Sequence, residues 1–308
     1  MPALPALSAH PFAQRAYAEA LAGADAVIPV PEWGAHLIRR PAPDGLCDAT
    51  GVYPLQVFAR GADVSAGLAR LAADGLVSTV LTPDPLLCPA AELARDFEIC
   101  RPFKPHYVVD AARGAFDPSR HHRQELRRAE RRCRTDWVAL ADHLPAWSAL
   151  YEELVARRSV TGAADFTPAY FEALAADPAM QAVAAWVGED LAGMAIWFEA
   201  EGVAYYHLSA INGLGYANGA AYALVGAGIE RFAPRNVIHL GGGAGTGDGA
   251  GGLSAFKQGF ANAEVMAHIC GAVLDRAAYD RLCAGREGTA FFPAYRAPVA
   301  QMSGTTAS

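Results

Sequence analysis

The chain has 308 residues, a formal net charge of −7, 53% hydrophobic and 19% charged residues. That balance excludes a disordered chain and a protein that coats nucleic acid non-specifically, and no apolar run approaches the ~20 residues of a membrane span. The length predicts about two domains. The first residues, MPALPALSAHPFAQR, lack the basic start and continuous apolar run of a secretory signal. Cys47, Cys88, Cys100, Cys133, Cys270 and Cys283 contain no C-x-x-C pair and no metal-like spacing with histidine. They read as reduced thiols in a cytoplasmic protein without a metal site.

In chain order, residues 11–22 read as a helix and 35–39 and 52–59 as strands. A helix over 64–73 stops near Gly75, and a strand over 76–81 closes on the Pro83-Asp84-Pro85 turn. Residues 90–97 read as a helix and 106–109 as a strand. From Arg113 to Arg134, eight arginines stand against Asp117, Glu125 and Glu130, a local charge of +5 that leaves −12 for the rest. Arg120, Arg123, Arg127, Arg131 and Arg134 recur at spacings of three and four, so a helix lines them along one face, opposite a thin stripe of Leu126, Ala129 and Cys133. A solvated face of Glu–Arg pairs accounts for such a pattern. So does a contact with a nucleic-acid backbone, because the stripe is about 21 Å long, more than one pyrophosphate engages.

A second region starts near Asp142, with helices over 145–158 and 168–176. Three strands over 182–187, 193–198 and 203–209, joined by short polar links, form an antiparallel meander. A helix over 219–232 leads to a short strand at Val237, Ile238 and Leu240, and a further strand is expected over 265–269. Eight glycines lie between Gly241 and Gly252, giving a backbone able to approach a ligand closely and to aim N–H groups at an anion or oxyanion. The tract is not a phosphate loop, because Lys257 lies between Phe256 and Gln258. Its G-x-G-x-x-G match at 247–252 lies too near the C-terminus for a dinucleotide sheet to follow.

Four stretches carry a family resemblance: Tyr205-Tyr-His-Leu-Ser-Ala210, Gly219-Ala-Ala-Tyr-Ala-Leu224, His239-Leu-Gly-Gly-Gly243 and Gly252-Leu-Ser-Ala-Phe-Lys-Gln-Gly-Phe260, with a weaker one at Arg120-His-His-Arg-Gln-Glu-Leu-Arg-Arg-Ala129. The chain resembles the N-acyltransferases of the GNAT superfamily, and more closely their Fem branch, the tRNA-dependent peptidoglycan-bridge aminoacyltransferases and their CelD-like acetyltransferase relatives. The resemblance implies an α/β (α+β) fold of two tandem GNAT-like domains, each a mixed, largely antiparallel sheet flanked by helices, with the site in the cleft between them. The expected divisions are 1–141, 142–297 and a flexible tail over 298–308. Two features depart from the pattern. The run Tyr216-Ala-Asn-Gly219-Ala-Ala221 has Tyr216 where acetyl-CoA enzymes carry Arg or Gln, and no heptad run matches the coiled-coil arm of some Fem enzymes.

Chemistry of this class is direct attack of an amine on an activated acyl carbonyl, with no covalent acyl-enzyme and no bound cofactor. The resemblance implies Lys257 as the positive group near the acyl ester. Asp248 is a candidate to hold or deprotonate the acceptor amine. His239, Gly241, Gly242, Gly243, Phe256, Tyr206 and Gly219 are the expected substrate-binding set, with His207 beside His239, and Arg120, Arg123, Arg127 and Arg131 the expected tRNA or phosphate contacts. Each has a plain structural role as the alternative: a solvent-exposed lysine, a turn aspartate, core aromatics. The expected co-substrate is aminoacyl-tRNA and the acceptor a peptide, peptidoglycan-precursor or small-molecule amine. Acyl-CoA as donor, or a non-catalytic binding module, are the competing readings. Oligomeric state is not legible.

Overall fold

The computed structural model describes residues 9–158, 166–244, 251–286 and 289–298. The chain divides into two compact units, Met1–Pro102 with Ala267–Ser308, and Phe103–Met266. The expected boundary at 141/142 falls inside the second unit. The physical reason is pairing: the strand at Arg134–Val138 is hydrogen-bonded to the first strand of the meander, from Arg134↔Trp186 to Val138↔Ala182, so the segments on either side of 141 share one sheet.

The first unit contains α1 (Arg15–Ala22), β1 (Val27–Val30), β2 (Ala35–Pro41), β3 (Cys47–Thr50), α2 (Val64–Ala73), β4 (Ser78–Leu81), α3 (Ala90–Leu93) and the start of β5 (Ile99–Val109). Strands β1, β2 and β3 are antiparallel neighbours, and β3 pairs with β4 in parallel. Helix α2 has the bounds its sequence predicts. The Asp63 carboxylate accepts from the Ala66 N–H at 2.9 Å, and Gly67 lets the helix close on the buried Trp33 indole, which a Cβ there would strike. The expected strand over 52–59 is absent. Pro54 cannot donate to a ladder, and the buried Gln56 side chain accepts from Val52 N and donates to Val57 O instead. Helix α3 is one turn, shorter than the expected 90–97.

The second unit holds the end of β5, α4 (Arg120–Glu130), β6 (Arg134–Val138), α5 (Leu144–Arg158), α6 (Pro168–Ala176), β7 (Gln181–Val187), β8 (Asp190–Ala200), β9 (Val203–Ile211), α7 (Gly213–Asn218), α8 (Ala220–Phe232), β10 (Val237–Gly242) and α9 (Gly252–Gln258). β11 (Ala263–Val273) leads back to the first unit, where its last residues pair with β4 and α10 (Arg276–Cys283) follows. In the second unit the order is β5-β10-β9-β8-β7-β6. Strands β7, β8 and β9 form the expected meander, and β10 pairs antiparallel with β5 and parallel with β9. The helix expected over 219–232 forms as α8, and the residues before it form a further short helix: Asn212 caps α7 by accepting from Gly215 N at 2.9 Å, and Gly219, at φ 81°, separates α7 from α8. Gly228 lets α8 lie on the sheet against Trp197, in a core with Leu224, Phe232, Ile238 and Leu240.

Two local features shape the site. The β10–β9 ladder covers only Val237–His239 against Val203–Tyr205, while β9 runs on to Ile211 beside β8. Past His239, β10 shifts register against β5, with Gly241 opposite Tyr107 and Gly242 opposite His106. The bulge at Leu240 turns the strand and places Gly241 at φ 76°, in the left-handed region that favours glycine. No helix among the described residues is long and apolar enough to cross a membrane.

Candidate active site

Lys257 lies in the last turn of α9 and points back at the end of β10. Its Nζ donates to Gly242 O at 2.8 Å and sits 5.8 Å from the centre of the Tyr206 ring on β9. A Cβ on Gly241 would lie 3.2 Å from Nζ, so glycine there serves both the backbone conformation and the room for the amine. Burial, and after it the positive charge of Lys104, lowers the Lys257 amine to about 7. Near neutral pH it therefore exists in both ammonium and amine forms. Among the described residues no carboxylate pairs with it. Tyr206 donates to Ser209 Oγ at 2.5 Å, and burial pushes its phenol up to about 12.

Lys104, on β5, approaches from the opposite strand. Its Nζ donates to Gly243 O at 3.1 Å, the carbonyl next in sequence to the one Lys257 holds. Burial lowers its amine as well. Beneath the glycines lies a pair of buried imidazoles: His106 Nδ1 and His239 Nε2 are 2.9 Å apart and share one hydrogen bond. The His106 ring lies where a Gly242 Cβ would project, and its Nε2 has no hydrogen-bond partner among the described residues. Burial first, then His239, Lys104 and Lys257, hold His106 well below the ordinary histidine range, so the ring is neutral.

Helix α4 is joined to the lysine-bearing helix through His122. Its Nε2 faces Phe256 O at 2.8 Å, and because a carbonyl only accepts, Nε2 carries the proton and Nδ1 accepts from Ser119 Oγ at 2.9 Å. Ser119 N donates to Gly259 O, and Gly259 has no room for a Cβ against the imidazole. Tyr222, Phe256 and Phe260 surround the same ring. The apolar stripe packs inward as expected, with Ala129 and Cys133 buried and Leu126 fitted against Gly226 of α8. Arg120, Arg123, Arg127 and Arg131 are exposed, and Arg123 pairs with Asp117.

Lys257, Gly241, Gly242 and Tyr206 come together, with His239 one ring away through His106. Gly243 joins them through Lys104. Phe256 packs into the aromatic group around His122. Gly219 sits between α7 and α8, where a Cβ would meet Ala129. His207 is bonded through Nε2 to Tyr170 OH at 2.8 Å. Asp248 lies outside the described residues. Every described member of the set belongs to the second unit. Sequence reasoning missed Lys104, His106 and His122, and also Arg157, whose guanidinium stacks 4.6 Å from the Tyr216 ring centre and donates to Ile211 O at 3.1 Å. His122 was within reach, since it shares the i, i+4, i+7 face of Leu126 and Ala129.

This arrangement is a GNAT acyltransferase fold: a meander, a helix, and a strand that parts from its parallel neighbour where the glycines begin. Residues 120–246 match the family model described as an acetyltransferase (GNAT) domain. Among solved structures, the C-terminal domain of a putative lysylphosphatidylglycerol synthetase from Agrobacterium fabrum superposes with a TM-score of 0.57 at 12% identity, over 80% of this chain and 85% of that one. FemX gives 0.56 at 12% identity, over 80% and 86%. L-PGS from Bacillus licheniformis gives 0.54 at 12% identity, over 80% and 88%. The chain thus has the Fem-like form of the GNAT fold. Comparison with curated protein sequences gives no match.

Proposed function

We propose that the protein transfers an aminoacyl group from aminoacyl-tRNA to an amine of a peptide, peptidoglycan precursor or small molecule. The acceptor nitrogen attacks the ester carbonyl directly, and no covalent acyl-enzyme forms. Lys257, at the gap between β9 and β10, stands where its ammonium form stabilises the oxyanion that develops on the carbonyl. The observation that carries the tRNA donor is the His122–Phe256 hydrogen bond. It ties the exposed arginine face of α4 to α9 beside Lys257, so a polyanion lying along α4 has its acylated end near the amine. FemX and the lysylphosphatidylglycerol synthetase domains share the fold, which favours this reading over an unrelated use of the same lysine.

The test is salt dependence. Removing Arg123, Arg127 and Arg131 together lowers affinity for charged tRNA and flattens the slope of log affinity against log salt by about two to three units. An unchanged slope in a folded triple variant identifies α4 as a solvated face and removes the tRNA donor.

Acyl-CoA is the second reading, and one observation favours it. Arg157 supplies from α5 a cation beside Tyr216, at the position where the sequence motif lacks one. Transfer from acyl-CoA that survives the triple arginine change and is lost in Arg157→Ala selects this donor.

A further inference from the structure

The chain has 25 lysines and arginines, and only Lys104 and Lys257 are lysines. These two, far apart in sequence, are held on the consecutive carbonyls of Gly243 and Gly242. Everywhere else the chain places its positive charge on arginine, which does not lose its proton in proteins. Where the two cations meet, it uses the side chain that does.

We propose that Lys104 is a positioning residue for acyl transfer: its positive charge beside Lys257 keeps the Lys257 amine ready to accept the proton that the acceptor nitrogen sheds. This rests on the acyl-transfer reading above and adds a role for a residue outside the family motifs. In the step itself the acceptor N–C bond forms and the C–O bond of the donor ester breaks. The proton from the attacking nitrogen passes to Lys257 Nζ and then to the released oxygen. Taking up that proton makes Lys257 positive as the oxyanion forms, so one group serves as base and as electrostatic partner.

Among the described residues, the charged group that favours the amine form of Lys257 is Lys104, while the Gly242 carbonyl and the Tyr206 ring face hold the ammonium in place. Lys104 and His106 face it from β5, His239 adjoins through His106 from β10, and Tyr206 of β9 is a neutral phenol. On the α4 side, neutral His122 holds the carbonyl of Phe256, adjacent to Lys257. A second cation beside a desolvated lysine is a recognised way to activate it.

Two lysines make the experiment direct. With side-chain ¹³C-lysine incorporated, the spectrum contains two lysine signals, assigned with Lys104→Arg. We expect the wild-type Lys257 signal to titrate with a midpoint of about 7. Lys104→Met raises that midpoint by about one pH unit, whereas Lys104→Arg, which keeps the charge, leaves it in place. The acid limb of the turnover–pH profile moves with it. Lys104→Gln, which keeps a polar end on the Gly243 carbonyl, gives the same comparison if the Met variant does not fold. A Lys257 midpoint that is the same in the charge-removing and charge-keeping variants overturns the proposal and leaves acyl transfer untouched. A shifted midpoint in a protein that transfers from no donor supports the coupling and removes the acyl-transfer reading.

Discussion

Two charged centres, Asp48 in the first unit and Lys257 in the second, are built in opposite ways. In the first unit Asp48 is fully buried and completely answered: Arg40 Nε lies 2.9 Å from Oδ1, and Arg296 Nε and Tyr295 OH lie 2.5 and 2.7 Å from Oδ2. Ser78 in turn lies 2.8 Å from the Tyr295 hydroxyl. In the second unit Lys257 is held by a carbonyl and faced by another cation. A buried charge with matched partners resists change in protonation and ties chain segments together. A desolvated lysine with no carboxylate partner among the described residues sits close to losing its proton, which costs stability and suits chemistry.

The largest effect that would break this contrast is on turnover. Lys257→Met should lower it by about 10²–10³-fold while the protein remains folded, as judged by circular dichroism. At the other centre the same logic predicts a loss of stability and no change in chemistry. Asp48→Ala leaves two partly buried arginines and the Tyr295 hydroxyl without their carboxylate, and denaturant unfolding should show a loss of about 3 kcal/mol, with the specific activity of the folded fraction retained.

A smaller effect sharpens the comparison through pH. The Lys257 amine is depressed in the folded state to about 7, against about 10.5 in the unfolded chain. Between those values the unfolded state binds more protons, so wild-type stability rises with pH across that window and its full ionisation penalty is present below it. The stability of Lys257→Met relative to wild type should therefore be greatest at pH 6 and should decline steadily toward pH 10 in thermal melts. A pH-independent difference would mean that the amine keeps its ordinary affinity for protons. The smallest effect is steric: Gly241→Ala forces a side chain into φ 76° at about 1–2 kcal/mol and presses on Nζ, so it should lower both stability and turnover.

What the sequence made legible divides along the same line as the chemistry. Helix α2, the meander and the glycine-to-lysine stretch are local patterns, and periodicity and turn residues were enough to find them. The strand expected over 52–59 failed because Pro54 and the buried Gln56 outweighed β-propensity. Lys104 and His106 were missed for a different reason. Each is ordinary in its own strand and gains its role from a partner on β10 or α9, through the bulge at Leu240 that the register of β5 against β10 creates. The unit boundary was misplaced because β6 belongs by pairing to strands that follow it in the chain. Nothing within residues 134–138 alone records that pairing.

The central claim is that acyl transfer takes place at Lys257. Single-turnover transfer from charged tRNA, and in parallel from acyl-CoA, to a simple amine acceptor between pH 6 and pH 9 tests it most directly. We expect a wild-type rate that rises through a midpoint of about 7 and then levels, with Lys257→Met slow at every pH. A folded Lys257→Met variant that transfers at the wild-type rate with the same pH profile would contradict it.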